Sequence, residues 1–297
     1  MEYIKQTFSI KDLENLSGIK AHTIRIWEKR YNILSPDRTS TNIRTYDISS
    51  LQKILNIAFL NESGYKISRI SKLSDEEISD MVRGVNTSSS EETRAITSLK
   101  LAMLNFDEAL FSKTYNELKK RKSFTEIFLE VFLPLLEEIG VLWQTDTIKP
   151  IHEHYIVDLI KQKVYLNIGL LKEEKEMNGD TLFVLFLPDN EIHDVGILYL
   201  YYELLNHNRS AIYLGPSLPL SDMNYLLELH DNVAFISYLT TQPEDMDKYL
   251  QEFNDELSED KIREFYLFGK KAREIDKSTL SPNIKAFNSL VPFIKSL

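Results

Sequence analysis

Four short apolar runs toward the end of the chain, Leu182–Leu187, Ser210–Leu214, Val233–Tyr238 and Arg263–Phe268, alternate with segments of helical period. Buried strands that alternate with helices return to one sheet in parallel, so this pattern predicts a doubly wound α/β domain. The first run is followed by Glu191-Ile192-His193-Asp194-Val195-Gly196, which leads into a helix-like segment, Ile197–Leu205. Open parallel sheets bind ligands in the crevice beyond the carboxyl ends of their strands, and His193 belongs at that edge. A carboxylate two residues before it, Glu191, is placed to hydrogen-bond the imidazole, set its tautomer and raise its basicity as a metal ligand. Gly196 lets the helix approach something bulky. A second reading makes Asp189, Glu191 and Asp194 around His193 a hard-metal site.

Upstream, helical period dominates. Segments at roughly 91–104, 107–120, 123–142 and 148–173 predict a helix bundle. The polar patches Asn86–Glu92 and Asn178–Asp180 mark its limits. The chain begins with shorter elements. Ser9 is a plausible cap for a helix with Ile10, Leu13 and Leu16 on one face. Ser17–Lys20 reads as a turn, and Ala21–Tyr31 as a second helix with Ile24 and Trp27 inward and Arg25, Lys29 and Arg30 outward. The polar stretch Leu34–Tyr46 reads as a small β-wing, Ile48–Gly64 as a third helix, and Tyr65–Ile70 as the start of a fourth.

Charge divides the same way. The net charge is -10, yet residues 1–73 carry 12 Lys and Arg against 7 Asp and Glu. A basic head on an acidic body implies that only the head meets phosphate. The chain has no cysteine, which excludes disulfides, zinc–thiolate sites and a cysteine nucleophile. No Gly-x-Ser-x-Gly elbow and no phosphate-binding glycine loop is present. With no leader-like start and no run long enough to span a bilayer, a cytoplasmic protein is expected.

Residues 6–75 resemble the winged helix-turn-helix of MerR-type transcription factors. The resemblance rests on Ser9-Ile10 with Leu13, on Thr23–Tyr31, and on Arg38 with Asn42–Tyr46. It implies that helix Ala21–Tyr31 enters a major groove. His22 and Thr23 would then lie where such helices meet base edges, with Arg25, Lys29 and Arg30 in reach of bases or phosphates. Arg38, Arg44 and Tyr46 suit phosphate contact. Trp27 and Tyr31 read as core.

The remainder resembles the cobalamin-binding module, a four-helix cap followed by a Rossmann-like domain. Its signature is carboxylate-x-His-x-x-Gly, then Ser-x-Leu, then Gly-Gly. Here it reads Glu191, His193 and Gly196, then Ser237-Tyr238-Leu239 after 40 intervening residues, then Gly269 with Lys270 in place of the second glycine. Trp143, separated by nine residues from Glu153-His154, is similar to the cap of light-responsive, cobalamin-dependent MerR-type repressors. The resemblance implies His193 as the lower cobalt ligand, with the cofactor's nucleotide tail inserted beside Ser237, Leu239 and Gly269. It implies Trp143, Glu153 and His154 over the upper face. Gln144 stands where those repressors often carry a second histidine, so no stable light-formed two-histidine adduct is expected, although His152 and His154 lie near.

The expectation is a multidomain chain. An α-helical winged helix-turn-helix head occupies 1–80, a four-helix bundle cap 88–176, and an α/β Rossmann-like (flavodoxin-like) parallel-sheet domain 178–297. It reads as a non-enzymatic regulator that binds double-stranded operator DNA as a homodimer or homotetramer and couples cobalamin (adenosylcobalamin or methylcobalamin) to oligomerisation. The alternatives are a regulator whose sensor works without cofactor under a protein partner, and a corrinoid methyltransferase component, which the basic head disfavours.

Overall fold

The computed structural model describes residues 7–62, 64–84, 91–145, 147–174, 178–257 and 263–297. The chain divides into two compact units, Met1–Leu159 and Ile160–Leu297. The first unit opens with β1 (Thr7–Phe8), α1 (Ile10–Ser17) and α2 (Ala21–Tyr31). Ser9 and Asp12 form a reciprocal capping box that satisfies two N–H groups at the start of α1. Gly18, at φ 73°, closes that helix in the left-handed conformation. Next come β2 (Asp37–Arg38) and β3 (Arg44–Asp47), followed by α3 (Ile48–Glu62), α4 (Ile67–Ile70) and α5 (Asp75–Gly84). β3 is central in a small antiparallel sheet of order β1-β3-β2, which is the expected wing with a strand the sequence pattern did not reveal, β1. Leu13, Ile24, Leu51 and Ile54 are fully buried and form the core of this head.

The helical segment that follows contains α6 (Glu91–Asn105), α7 (Glu108–Lys119), α8 (Phe124–Ile127), α9 (Leu133–Gln144) and α10 (Pro150–Glu174). A π-helical turn, Phe128–Phe132, joins α8 to α9. Pro134 explains it. Proline cannot donate to the helical ladder and crowds the preceding turn, and widening that turn relieves both problems. The phenyl rings at Phe111 and Phe132 stack at 6.2 Å inside this bundle.

The second unit is built on β4 (Asn178–Phe186), α11 (Val195–Asn206), β5 (Arg209–Gly215), α12 (Asn224–Leu229), β6 (Val233–Tyr238), α13 (Met246–Leu257), β7 (Phe265–Phe268), α14 (Lys270–Glu274), β8 (Ile284–Ala286) and α15 (Leu290–Ile294). Every strand pair is parallel and the order is β5-β4-β6-β7-β8. Order reverses at β4, so the loops after β4 and β6 diverge and leave a crevice at their carboxyl ends. Phe186, Phe235, Phe253 and Phe265 are fully buried in the core, with Phe253 and Phe265 stacked at 4.1 Å. The sequence pattern anticipates four of the five strands. β8 is three residues long and contains Lys285, too short and too polar to register as an apolar run.

Candidate functional site

The loop from β4 to α11 carries Glu191 and His193. Glu191 is fully buried. It accepts hydrogen bonds from the backbone N–H groups of Ile192 and His193 in its own loop. It also accepts from those of Thr240, Thr241 and Gln242 after β6. One carboxylate thus ties together the two loops that flank the crevice. Burial opposes its charge, but the bonds from the His193 ring and from these backbone groups outweigh burial and hold its carboxyl well below the usual carboxylate range. The imidazole of His193 meets Glu191 through Nδ1 at 2.6 Å. Glu191 is an acceptor only, so Nδ1 donates to it; in the neutral tautomer this bond selects, the lone pair lies on Nε2. The His193 side chain is 42% exposed, so Glu191 holds an imidazole that reaches the surface.

The hard-metal alternative does not form. Asp194 is tied to Lys161 at 2.7 Å, and Glu191 is consumed by backbone donors. Among the described residues no group of three or more His, Asp or Glu side chains is placed to hold a metal ion. A cleft of about 690 Å³ opens beside the loop, lined by Pro188, Asn190, Leu218, Gln242 and Tyr249 among others.

Gly196, Ser237, Leu239 and Gly269 stand in a different relation to the crevice from the one expected. Gly196 does admit a bulky neighbour, and that neighbour is the ring of Tyr238, whose Cε2 would lie 2.5 Å from a Cβ added there. Ser237 is fully buried and donates its hydroxyl to the Phe186 carbonyl at 2.9 Å. Leu239 is fully buried, and Gly269, at φ 94°, abuts its carbonyl so closely that no Cβ fits. The expected space for a tail beside Ser237, Leu239 and Gly269 is therefore corrected: chain atoms fill it. Lys270 is exposed at the start of α14.

In the first unit Trp143 is 52% exposed at the end of α9, and His154 is exposed on α10 with Glu153 half-buried beside it. His152 is buried instead. Its Nδ1 accepts the N–H of Lys149 and its ring stacks on Phe106 at 5.2 Å, which fixes it as a structural residue at the start of α10. The side chain of Gln144 lies outside the described residues.

On the head, α2 presents His22, Arg25, Lys29 and Arg30 to the surface, with Thr23 half-buried at its first turn. Arg38 is exposed in the wing and donates to Asn42 Oδ1 at 2.7 Å, bracing the turn that Asn42 makes at φ 65°. Arg44 is half-buried and donates from Nε to Glu28 at 3.1 Å. Tyr46 corrects the expectation of a phosphate contact. It is 1% exposed, and its hydroxyl donates to the same Glu28 carboxylate. Glu28 is the residue sequence reasoning missed: on α2 it is buried, and it anchors the wing strand β3 through both Arg44 and Tyr46. Its position next to the inward Trp27 was the available signal. Ile26 and Ile43, 54% and 60% exposed, put apolar side chains on the same α2 and wing surface.

Residues 8–77 match the MerR HTH regulatory protein family, and residues 95–166 match the B12 binding domain family. A MerR-type HTH region followed by a B12-binding region makes the chain a cobalamin-binding transcriptional regulator. The regulator is 24% identical over 225 residues, 74% of each chain, to the HTH-type transcriptional repressor CarH of Myxococcus xanthus. It is 27% identical over 77 residues to the HTH-type transcriptional regulator MlrA of Escherichia coli (strain K12), covering 26% of this chain and 32% of that one. In fold it is similar to the monomethylamine corrinoid protein of Methanosarcina barkeri, at TM-score 0.54 and 14% identity, over 67% of this chain and 93% of that one. Among the described residues of the regulator, no helix is long and apolar enough to cross a membrane.

The donor half of the sensor fits a corrin cobalt. A corrin supplies the equatorial nitrogens itself and asks the protein for one axial donor, and His193 offers a single oriented Nε2. The tail half does not fit, because the small residues expected to admit a nucleotide are packed against Tyr238, Leu239 and Phe186.

Proposed function

We propose that this regulator is divided at 1–80, 88–176 and 178–297, acts in the cytoplasm without catalysis, and binds operator DNA as a homodimer or homotetramer. The DNA contacts are His22, Thr23, Arg25, Lys29 and Arg30 on α2, and Arg38 and Arg44 in the wing. The sensor holds a corrinoid with His193 Nε2 on cobalt, Glu191 orienting the ring, and Trp143, Glu153 and His154 over the upper face. Bound cofactor favours one arrangement of sensors and so the spacing of DNA heads. A full reversal of such an equilibrium asks for about 5.5 kcal/mol of preference for one state. Burial of a corrin ring is large enough to supply it.

The observation that carries this reading is the Glu191–His193 pair. A carboxylate that is fully buried and satisfied by two loops fixes, through Nδ1, an imidazole that is itself partly exposed at the crevice edge. The test mixes the purified regulator with adenosylcobalamin, desalts it in the dark and records the visible spectrum, alongside His193→Ala. Wild type should retain the corrin bands and the variant should lose most of them. Equal retention by both moves the site away from His193. No retention by either favours a sensor that works without cofactor.

A further inference from the structure

Where α11 meets the sheet, the chain's own rings pack closely. Tyr238 ends β6 and lies half-buried against Gly196 in the first turn of α11, with Cε2 and Cζ 2.5 and 2.6 Å from where a Cβ would stand. Contact this close requires glycine at position 196, so the helix is built around the phenol. Strand register pairs Tyr238 with Phe268, and paired positions in neighbouring strands project from the same face of a sheet. Phe268 stacks on Phe287 at 5.0 Å with an interplanar angle of 11°, and it meets Phe293 of α15 edge-on at 5.2 Å. Phe287 and Phe293 complete the triangle at 5.6 Å. Gly269 is pressed on the Leu239 backbone, and the Lys271 N–H bonds the Leu239 carbonyl at 3.1 Å. The Ser237 hydroxyl is already committed to Phe186. A planar base inserted along Gly196 toward Ser237 and Gly269 would have to displace Tyr238.

We propose that Tyr238, backed by the Phe268–Phe287–Phe293 cluster, excludes the nucleotide tail, so that this sensor recognises the corrin ring and its cobalt alone. Its ligand class is then the corrinoids in general, with the tail-less cobinamides accepted as readily as cobalamin. The proposal rests on His193 as the cobalt ligand. Tyr238 acts as a selectivity element and touches neither cobalt nor the upper ligand.

The experiment titrates the full-length protein with aquacobalamin and with diaquacobinamide, followed by the visible shift on imidazole ligation, for wild type, Tyr238→Ala and Tyr238→Phe. Circular dichroism melts establish that each variant is folded. Wild type should bind cobinamide at least as tightly as cobalamin. Tyr238→Ala should gain about tenfold or more for cobalamin, about 1.4 kcal/mol, with cobinamide unchanged, and Tyr238→Phe should behave as wild type. A wild-type preference for cobalamin of about tenfold or more, lost in His193→Ala, would overturn tail exclusion and leave the cobalt ligand standing. That wild-type ratio decides the matter even if Tyr238→Ala does not fold. If wild type binds neither corrinoid while Tyr238→Ala binds cobalamin, closure is supported and the cofactor reading of the native chain fails. Binding of neither by any variant sinks both.

Discussion

Replacing Glu191 with glutamine removes one negative charge and keeps the shape, so its cost measures what the carboxylate does. Oε1 accepts from Ile192 N–H, His193 N–H and the His193 ring, and Oε2 from the N–H groups of Thr240, Thr241 and Gln242. A glutamine has one acceptor oxygen, and in either orientation its NH2 faces a set of donors. Each buried donor left without an acceptor costs about 1–3 kcal/mol. Three such donors, partly relaxed or hydrated, give about 3–5 kcal/mol for Glu191→Gln. For a unit of this size that corresponds to a fall in Tm of roughly 10 °C. The pH dependence has a definite sign. Glu191 is depressed in the folded protein, so its contribution is complete above the ordinary carboxylate value of 4.5 and is lost as pH falls toward the folded value. The gap between wild type and variant should therefore be constant from neutral pH to about 5 and narrow below it. Urea unfolding followed by circular dichroism across that range makes the measurement. A variant within about 1 kcal/mol of wild type at pH 7, or a gap that widens in acid, would falsify the account of Glu191 as a charged clamp between two loops.

Three further outcomes follow from the packing and the charges. Gly196→Ala should destabilise the second unit by about 1–3 kcal/mol, and combining it with Tyr238→Ala should recover part of that loss; strict additivity in thermal melts would mean the two residues do not oppose each other. Glu28→Ala should cost about 1–3 kcal/mol by stranding the Tyr46 hydroxyl, and it should weaken DNA binding by releasing the wing, so a gel-shift affinity equal to wild type's would separate Glu28 from wing position. DNA affinity should fall linearly on a log–log plot against salt, with a shallower slope in Arg44→Ala and a selective loss on the operator in Arg25→Ala; unchanged binding after removal of both arginines would remove α2 and the wing from the interface.

Local pattern was enough to place most of the elements. α2 occupies Ala21–Tyr31 as its apolar spacing requires, because Ile24 and Trp27 fall on one face and the cations on the other. The order of strands and helices after residue 178 follows from alternating apolar runs, and the Glu191–His193 bond follows from a spacing of two, which needs only one tight loop to close. These features depend on neighbours in sequence, where periodicity and capping act. Contacts across the sheet were beyond reach. That Tyr46 turns inward to Glu28, that Thr240–Gln242 complete the Glu191 clamp, and that Tyr238 fills the space Gly196 leaves open are all pairings between segments distant along the chain. A glycine in sequence says that something comes close. Whether that something is a ligand or the protein's own ring depends on which side chain the strand register points at it, and register is decided only when the whole sheet packs.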